Sequence, residues 1–159
     1  MGNGTTSADL GRNDGNWSNV DEVVAGWNDR IIEEFRANEG RVGGPYEGHP
    51  LLLLHHRGAK TGIERVNPLA CQPLGDGRWA IFGSKGGSDT NPDWFHNLVA
   101  NPDAKIEFGM ATVDVHAHVA AGQERELIWT KQKRLMPGFA AYEKKTTRQI
   151  PVVVLEAIR

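Results

Sequence analysis

From Val20 onward the apolar positions fall at helical spacing. Val20, Val23, Val24, Trp27, Ile31 and Phe35 share one face, while Asp21, Glu22, Asp29, Glu33 and Arg36 occupy the other. Ser18 is placed to cap this helix and Gly40 to stop it. Its acidic polar face favours packing on a core, because membrane-surface helices carry Lys and Arg there. Residues 1–17 are rich in Gly, Asn, Ser and Asp and read as a disordered tail. Residues 18–159 then form a single domain that begins with the amphipathic helix.

After a Gly-rich connection from Gly40 to Gly48 the pattern turns to strands, predicted at 49–56, 63–73, 79–84, 104–108, 112–120 and 151–157. Gly75-Asp76-Gly77 and Gly109-Met110 mark tight hairpins. Helices are predicted over 93–100 and from 123 to about 136, with a short piece over 140–146. Asn91 reads as the cap of the helix at 93, with Pro92 at its first position. Successive hairpins without regular β-α-β alternation give an α+β class, an antiparallel sheet or small barrel with flanking helices.

The charges nearly balance, 18 Lys and Arg against 20 Asp and Glu, which excludes a surface built throughout for nucleic acid. The single Cys71 excludes an internal disulfide and fits a reducing compartment. No apolar run exceeds the four residues of Leu51 to Leu54, and the N-terminus lacks the apolar core of a secretory signal. The expectation is a cytoplasmic protein, at most peripheral to a membrane and without stable insertion. Its partner is a small molecule, and monomer and homodimer both stay open.

Against this background two loops stand out. Arg57-Gly-Ala-Lys-Thr-Gly62, with Arg65 close behind, and Ser84-Lys85-Gly86-Gly87 each join a lysine to glycines or hydroxyls after a predicted strand. Glycines free the backbone for turns whose N–H groups converge on an anion, and lysine adds a point charge. The helix start at Asp93 offers further N–H donors. Together they point to a phosphate or polyanion.

The runs Arg57 to Pro68, Ser84 to Asn97, Asn101-Pro102 and Thr147 to Val154 resemble, in order and spacing, the deazaflavin-dependent nitroreductase family, which uses coenzyme F420. The similarity covers roughly residues 48 to 157. It implies a split β-barrel of the FMN-binding kind and redox chemistry with reduced F420. Family acceptors include quinones, nitroimidazoles and conjugated esters such as furanocoumarins and aflatoxins. By resemblance, Lys60 and Thr61 hold the phosphate and polyglutamate tail, and Arg65, Val66, Asn67 and Pro68 form the next contact segment. Phe82, Gly83, Ser84 and Lys85, with Gly86 and Gly87, lie along the deazaflavin and its linker. So do Asp93, Trp94, Phe95, His96 and Asn97.

A phosphodiester and several carboxylates need cations, for which Lys60, Arg65 and Lys85 are the first choices and Arg57 a weaker one. Trp94 reads first as core packing and second as a flat wall beside the cofactor. Where family members carry substrate-pocket tyrosines, this chain has Met136 and Phe139, and Tyr142 keeps the one hydroxyl. That favours quinones or bulky conjugated carbonyl compounds over nitroimidazoles. No catalytic residue is assigned, Tyr142 being the candidate donor in the pocket.

Other readings remain in view. Asp114, His116 and His118 alternate on one strand face, a pattern that can bind metal but fits a polar outer face better, and no metal is assigned. His55 and His56 are adjacent and face opposite ways. A non-catalytic F420 carrier or sensor, and a barrel holding FMN or haem, are the alternatives to an F420H2-dependent reductase.

Overall fold

The computed structural model describes residues 17–158, with side chains from residue 26 onward. Helix α1 spans Trp17–Ala37, so Ser18 falls inside the helix and is not its cap. The tail expected over 1–17 lies outside the described residues except at Trp17, which is already helical. At the other end of α1 the Gly40 N–H returns to Phe35 O at 2.7 Å, with Gly40 at φ +93°, where glycine is free of Cβ strain.

Six strands follow: β1 Leu51–Arg57, β2 Glu64–Gly75, β3 Arg78–Phe82, β4 Asp103–Phe108, β5 Ala111–Val119 and β6 Val152–Ala157. They close into a barrel in the order β1-β2-β3-β6-β5-β4. Every neighbouring pair is antiparallel, and β1 against β4 completes the ring. Helix α2 (Asp93–Ala100) lies between β3 and β4, while α3 (Gly122–Leu135) and α4 (Gly138–Lys145) lie between β5 and β6.

Strand alternation sorts the apolar side chains into three packed layers. Leu52, Leu54, Cys71, Ile81, Ile106, Val115, Val153 and Leu155 fill the barrel, joined by Trp94 and Leu98 from α2. Leu51 and Leu53, on the opposite face of β1, pack against Ile31 and Phe35 of α1. Ala80, Phe82, Val152 and Val154 carry α3 and α4 through Ile128, Trp129 and Phe139. Trp27, assigned to the apolar face of α1, is instead 45 % exposed and lies under the Arg30 guanidinium, 5.7 Å from the ring centroid. Burial inside the barrel pushes the Cys71 thiol up to about 12.

Antiparallel neighbours send alternate connections to opposite ends of the barrel. One end carries the two tight hairpins, with Asp76 and Gly77 both at positive φ, as a type I′ turn requires, and Gly109 at +60°. The other end gathers the 58–63 loop, the 83–92 segment with α2 behind it, and the 146–151 segment that enters β6. Both lysine loops therefore share one rim.

Candidate functional site

The 58–63 loop joins β1 to β2 and is closed on itself by Gly58 N–H to Ile63 O and Gly62 N–H to Gly58 O, both 2.9 Å. Thr61 Oγ1 accepts from Ile63 N–H at 3.2 Å. A Cβ at Gly58 would stand 2.5 Å from that hydroxyl, so glycine permits the turn. Lys60, Thr61 and Arg65 are exposed, and Val66, Asn67 and Pro68 are half-buried along β2.

A chain of side chains fastens this loop to α2. The Ala59 N–H donates to Asn97 Oδ1 at 2.9 Å, which fixes the orientation of that amide. Asn97 Nδ2 must then donate to His56 Nδ1, 3.0 Å away. With its Nδ1 lone pair used, His56 carries its proton on Nε2 and donates to Asn67 Oδ1 at 2.7 Å. His56 is 3 % exposed, and burial pushes its pKa below the ordinary 6.5. Asn67 Nδ2 is left as a donor. The sequence had given His56 no role. Its signal was the alternation that turns it to the inner face beside Leu52 and Leu54.

The second loop is held differently. Lys85, Gly86 and Gly87 follow one another at φ +46°, +65° and +86°, after Ser84 in the right-handed region. The turn closes on itself through Gly87 N–H to Ser84 O at 2.9 Å and Ser88 N–H to Lys85 O at 3.1 Å. For Lys85 the conformation costs about 1–2 kcal/mol. A Cβ at Gly87 would meet Lys145 Cδ at 2.8 Å and Tyr142 O at 3.1 Å, and one at Gly83 would meet Pro151 Cγ at 2.7 Å. Neither position has room for a side chain. Arg148 ties the segment together, donating to Ser84 O (3.0 Å), Ser88 O (2.9 Å) and Asn91 Oδ1 (2.6 Å). This corrects the capping role expected of Asn91: its side chain serves Arg148, and Pro92 occupies the N-cap position of α2, accepting at its carbonyl from Phe95 N–H. Lys85 Nζ rests on Thr90 Oγ1 at 3.2 Å.

Among the described residues Lys60, Arg65 and Lys85 have no carboxylate within ion-pair distance, whereas Arg36, His55 and Lys133 each do. Asp93 stands exposed in the first turn of α2, where it compensates the helix's positive end. Trp94 is buried in the barrel core, as the packing reading expected, while Phe95 is half-buried and His96 exposed.

Phe82 and Phe139 lie 5.6 Å apart, and Phe139 meets Tyr142 edge-on at 5.4 Å, with Trp129 behind them. Phe139 is buried, and Met136 and Tyr142 are half-buried against the same cluster. Tyr142 borders the Gly87 turn through its carbonyl, and it shares one cluster with Met136 and Phe139. On β5, His116 pairs with Asp103 at 2.6 Å and His118 with Glu124 at 3.0 Å, as a polar outer face would. Two concavities, of about 190 and 330 Å³, lie beside α2 and outside β1 and β4; neither is lined by Lys60 or by the 84–87 turn.

A closed antiparallel barrel with helices packed on its walls and glycine-rich cationic loops at one rim is a split barrel of the cofactor-binding kind. The chain belongs to the F420H(2)-dependent quinone reductase family, whose model matches residues 27–157. It is 37% identical over 125 residues to the F420H(2)-dependent quinone reductase Rv1261c of Mycobacterium tuberculosis, covering 76% of this chain and 83% of that one. A solved F420-H2 dependent reductase, FDR-A, superposes with a TM-score of 0.62 at 36% identity over 67% of this chain and 94% of its own. The haem storage protein HutZ of Vibrio cholerae shares the fold alone, with a TM-score of 0.52 at 13% identity over 83% of this chain and 91% of its own. The protein is thus an F420H2-dependent reductase, with reduced coenzyme F420 as its cofactor. The rim suits that group: cations with no carboxylate partner for an anionic tail, and open space beside Gly62 and Gly86 where a ligand can approach the backbone. No helix among the described residues is long and apolar enough to cross a membrane.

Proposed function

We propose that the chain reduces quinones or conjugated lactones of the coumarin type, in preference to nitroimidazoles, at the rim where the two lysine loops meet α2. The supporting observation is that Lys60, Arg65 and Lys85 share one barrel end, with the Gly87 turn packed on α4, which carries Phe139 and Tyr142. When bound, the reduced deazaflavin supplies a hydride. The chain's residues do the rest. Lys60, Thr61, Arg65 and Lys85 bind the anionic tail, and Asn67 Nδ2 donates toward the ring or linker. At the strained 84–87 turn the open side of Gly86 lets the cofactor approach the backbone. Met136, Phe139 and Tyr142 give the acceptor an apolar wall that excludes water and helps hold it in contact with the donor. The Tyr142 hydroxyl is the group placed to donate a hydrogen bond, or the proton that must follow hydride addition.

Titration with F420, followed by the deazaflavin's fluorescence, tests the binding site. The double variant Lys60→Ala, Lys85→Ala should weaken binding by on the order of a hundredfold, about two charge-assisted contacts. Unchanged affinity would remove the assignment of these loops. Turnover of menadione and a coumarin lactone should exceed that of a nitroimidazole. Fast nitroimidazole reduction beside weak turnover of both others would overturn the acceptor preference.

A further inference from the structure

We propose that His56 is a positioning residue for the cofactor: in its neutral form it holds the Asn97 amide, and through Asn97 the Ala59 N–H and the loop that carries Lys60 and Thr61. The proposal rests on the assignment of that loop to the cofactor's anionic tail.

The direction of each hydrogen bond is forced. Asn97 Oδ1 faces the Ala59 N–H, so only Nδ2 can meet His56 Nδ1, and that contact requires a ring nitrogen without a proton. A second proton on His56 would set an N–H against the Asn97 amide N–H groups at 3.0 Å. Turning the Asn97 amide by half a revolution relieves that clash, but it then presents N–H groups to the Ala59 N–H. Either way one bond in the relay breaks: with the amide unturned Asn97 loses its anchor on β1, and with it turned the loop loses its tie to α2.

His56 is among the residues around the concavity of about 330 Å³ beside β1 and β4. Arg57, Glu64, Asp103, Lys105 and Asp114 line the same space. Burial, the largest influence, opposes a positive charge on His56, as do Arg65 on β2 and His55 on β1, while the hydrogen bond to Asn67 and the charge of Asp93 on α2 favour one; the balance lowers the pKa. The neutral form is therefore the one present at neutral pH. Acid converts it, and the grip on the cofactor weakens.

The test follows F420 affinity from pH 7.5 downward, to the lowest pH at which the protein stays folded by circular dichroism, in the wild-type protein, His56→Ala and His56→Gln. Glutamine can accept from Asn97 and donate to Asn67 without titrating. Wild-type affinity should fall away from that of His56→Gln below pH 6.5, by on the order of fivefold once His56 is protonated. The ligand's own ionisations are common to both proteins and cancel. His56→Ala should bind more weakly at pH 7.5, with His56→Gln restoring most of the affinity there. Equal pH dependence in wild type and His56→Gln would overturn the proposal. A second readout needs neither cofactor nor variant: imidazole nitrogen shifts of His56 in the free full-length protein should report the Nε2–H tautomer at pH 7.5. An Nδ1–H tautomer or an imidazolium there would overturn it. Failure of the wild type to bind F420 at any pH would instead overturn the placement of the cofactor, a result distinguishable from failure of the relay.

Discussion

The 58–63 and 83–92 loops carry the same kind of group, a lysine among small residues, on two different supports. The first hangs from uncharged partners, Asn67, His56 and Asn97, joined by hydrogen bonds of 2.7 to 3.0 Å. The second is gripped by the Arg148 guanidinium, which meets three oxygens with a charge that no accessible pH removes. A neutral relay is cheap to bury but depends on one protonation state. A guanidinium is insensitive to pH but needs several acceptors at once to offset its desolvation, which holds its pKa below the ordinary arginine value.

Removing the stronger support should have the largest effect. Arg148→Ala strips Ser88 O and Asn91 Oδ1 of this donor, leaves Ser84 O with the Gly87 N–H alone, and should cost about 2–4 kcal/mol of stability, read by thermal or denaturant melts. Arg148→Lys should recover less than half of this, because an ammonium cannot span three acceptors in the guanidinium plane. Full recovery by lysine would mean that charge alone holds the loop.

A smaller change separates strain from support. Lys85→Gly relieves the left-handed backbone at φ +46° and should raise stability by up to about 1 kcal/mol, after the entropic cost of glycine, while lowering F420 affinity. Lys60 has no such strain, so Lys60→Ala should lower affinity with stability unchanged within about 0.5 kcal/mol. A destabilised Lys85→Gly would show that the lysine stem, and not the turn, carries the local energy.

The smallest effect is in the pH dependence of stability. The pKa of His56 is lowered in the fold, so the unfolded chain binds the extra proton first. Its contribution is full above the ordinary value of about 6.5 and is lost as pH falls below it toward the lowered value. Hydrogen bonds from His55 and Arg36 hold Glu64 and Glu107 below their ordinary 4.5, so their contribution is full above 4.5 and is lost as pH falls through the lowered values. Melting temperatures of wild type and His56→Gln should therefore diverge first below pH 6.5, with the carboxylate loss following in both proteins at lower pH. Divergence confined to the region below pH 4.5 would place the titrating group elsewhere.

What the sequence disclosed follows the range of the forces involved. Strand alternation and turn glycines are local, so all six strands, both tight hairpins and α2 at 93–100 could be read from the chain. The two lysine loops were legible for the same reason. His56 was not, because its partner Asn97 lies 41 residues away and alternation tells only which way the ring faces. Arg148 sits in an unpatterned stretch, and its acceptors are mostly backbone oxygens, which leave no mark in a sequence. Asn91 looked like a helix cap because asparagine before proline is a cap signal. A guanidinium from 57 residues away competes for the same oxygen.

Cys71 has a practical consequence. The chain's sole thiol is shut inside the barrel and held at a pKa of about 12, so thiolate-seeking reagents at neutral pH should leave it untouched. A cysteine introduced at the exposed Thr90 or Ala59 would then be the one reactive handle on the molecule. A fluorophore or spin label could follow either loop directly, with the native residue left in place.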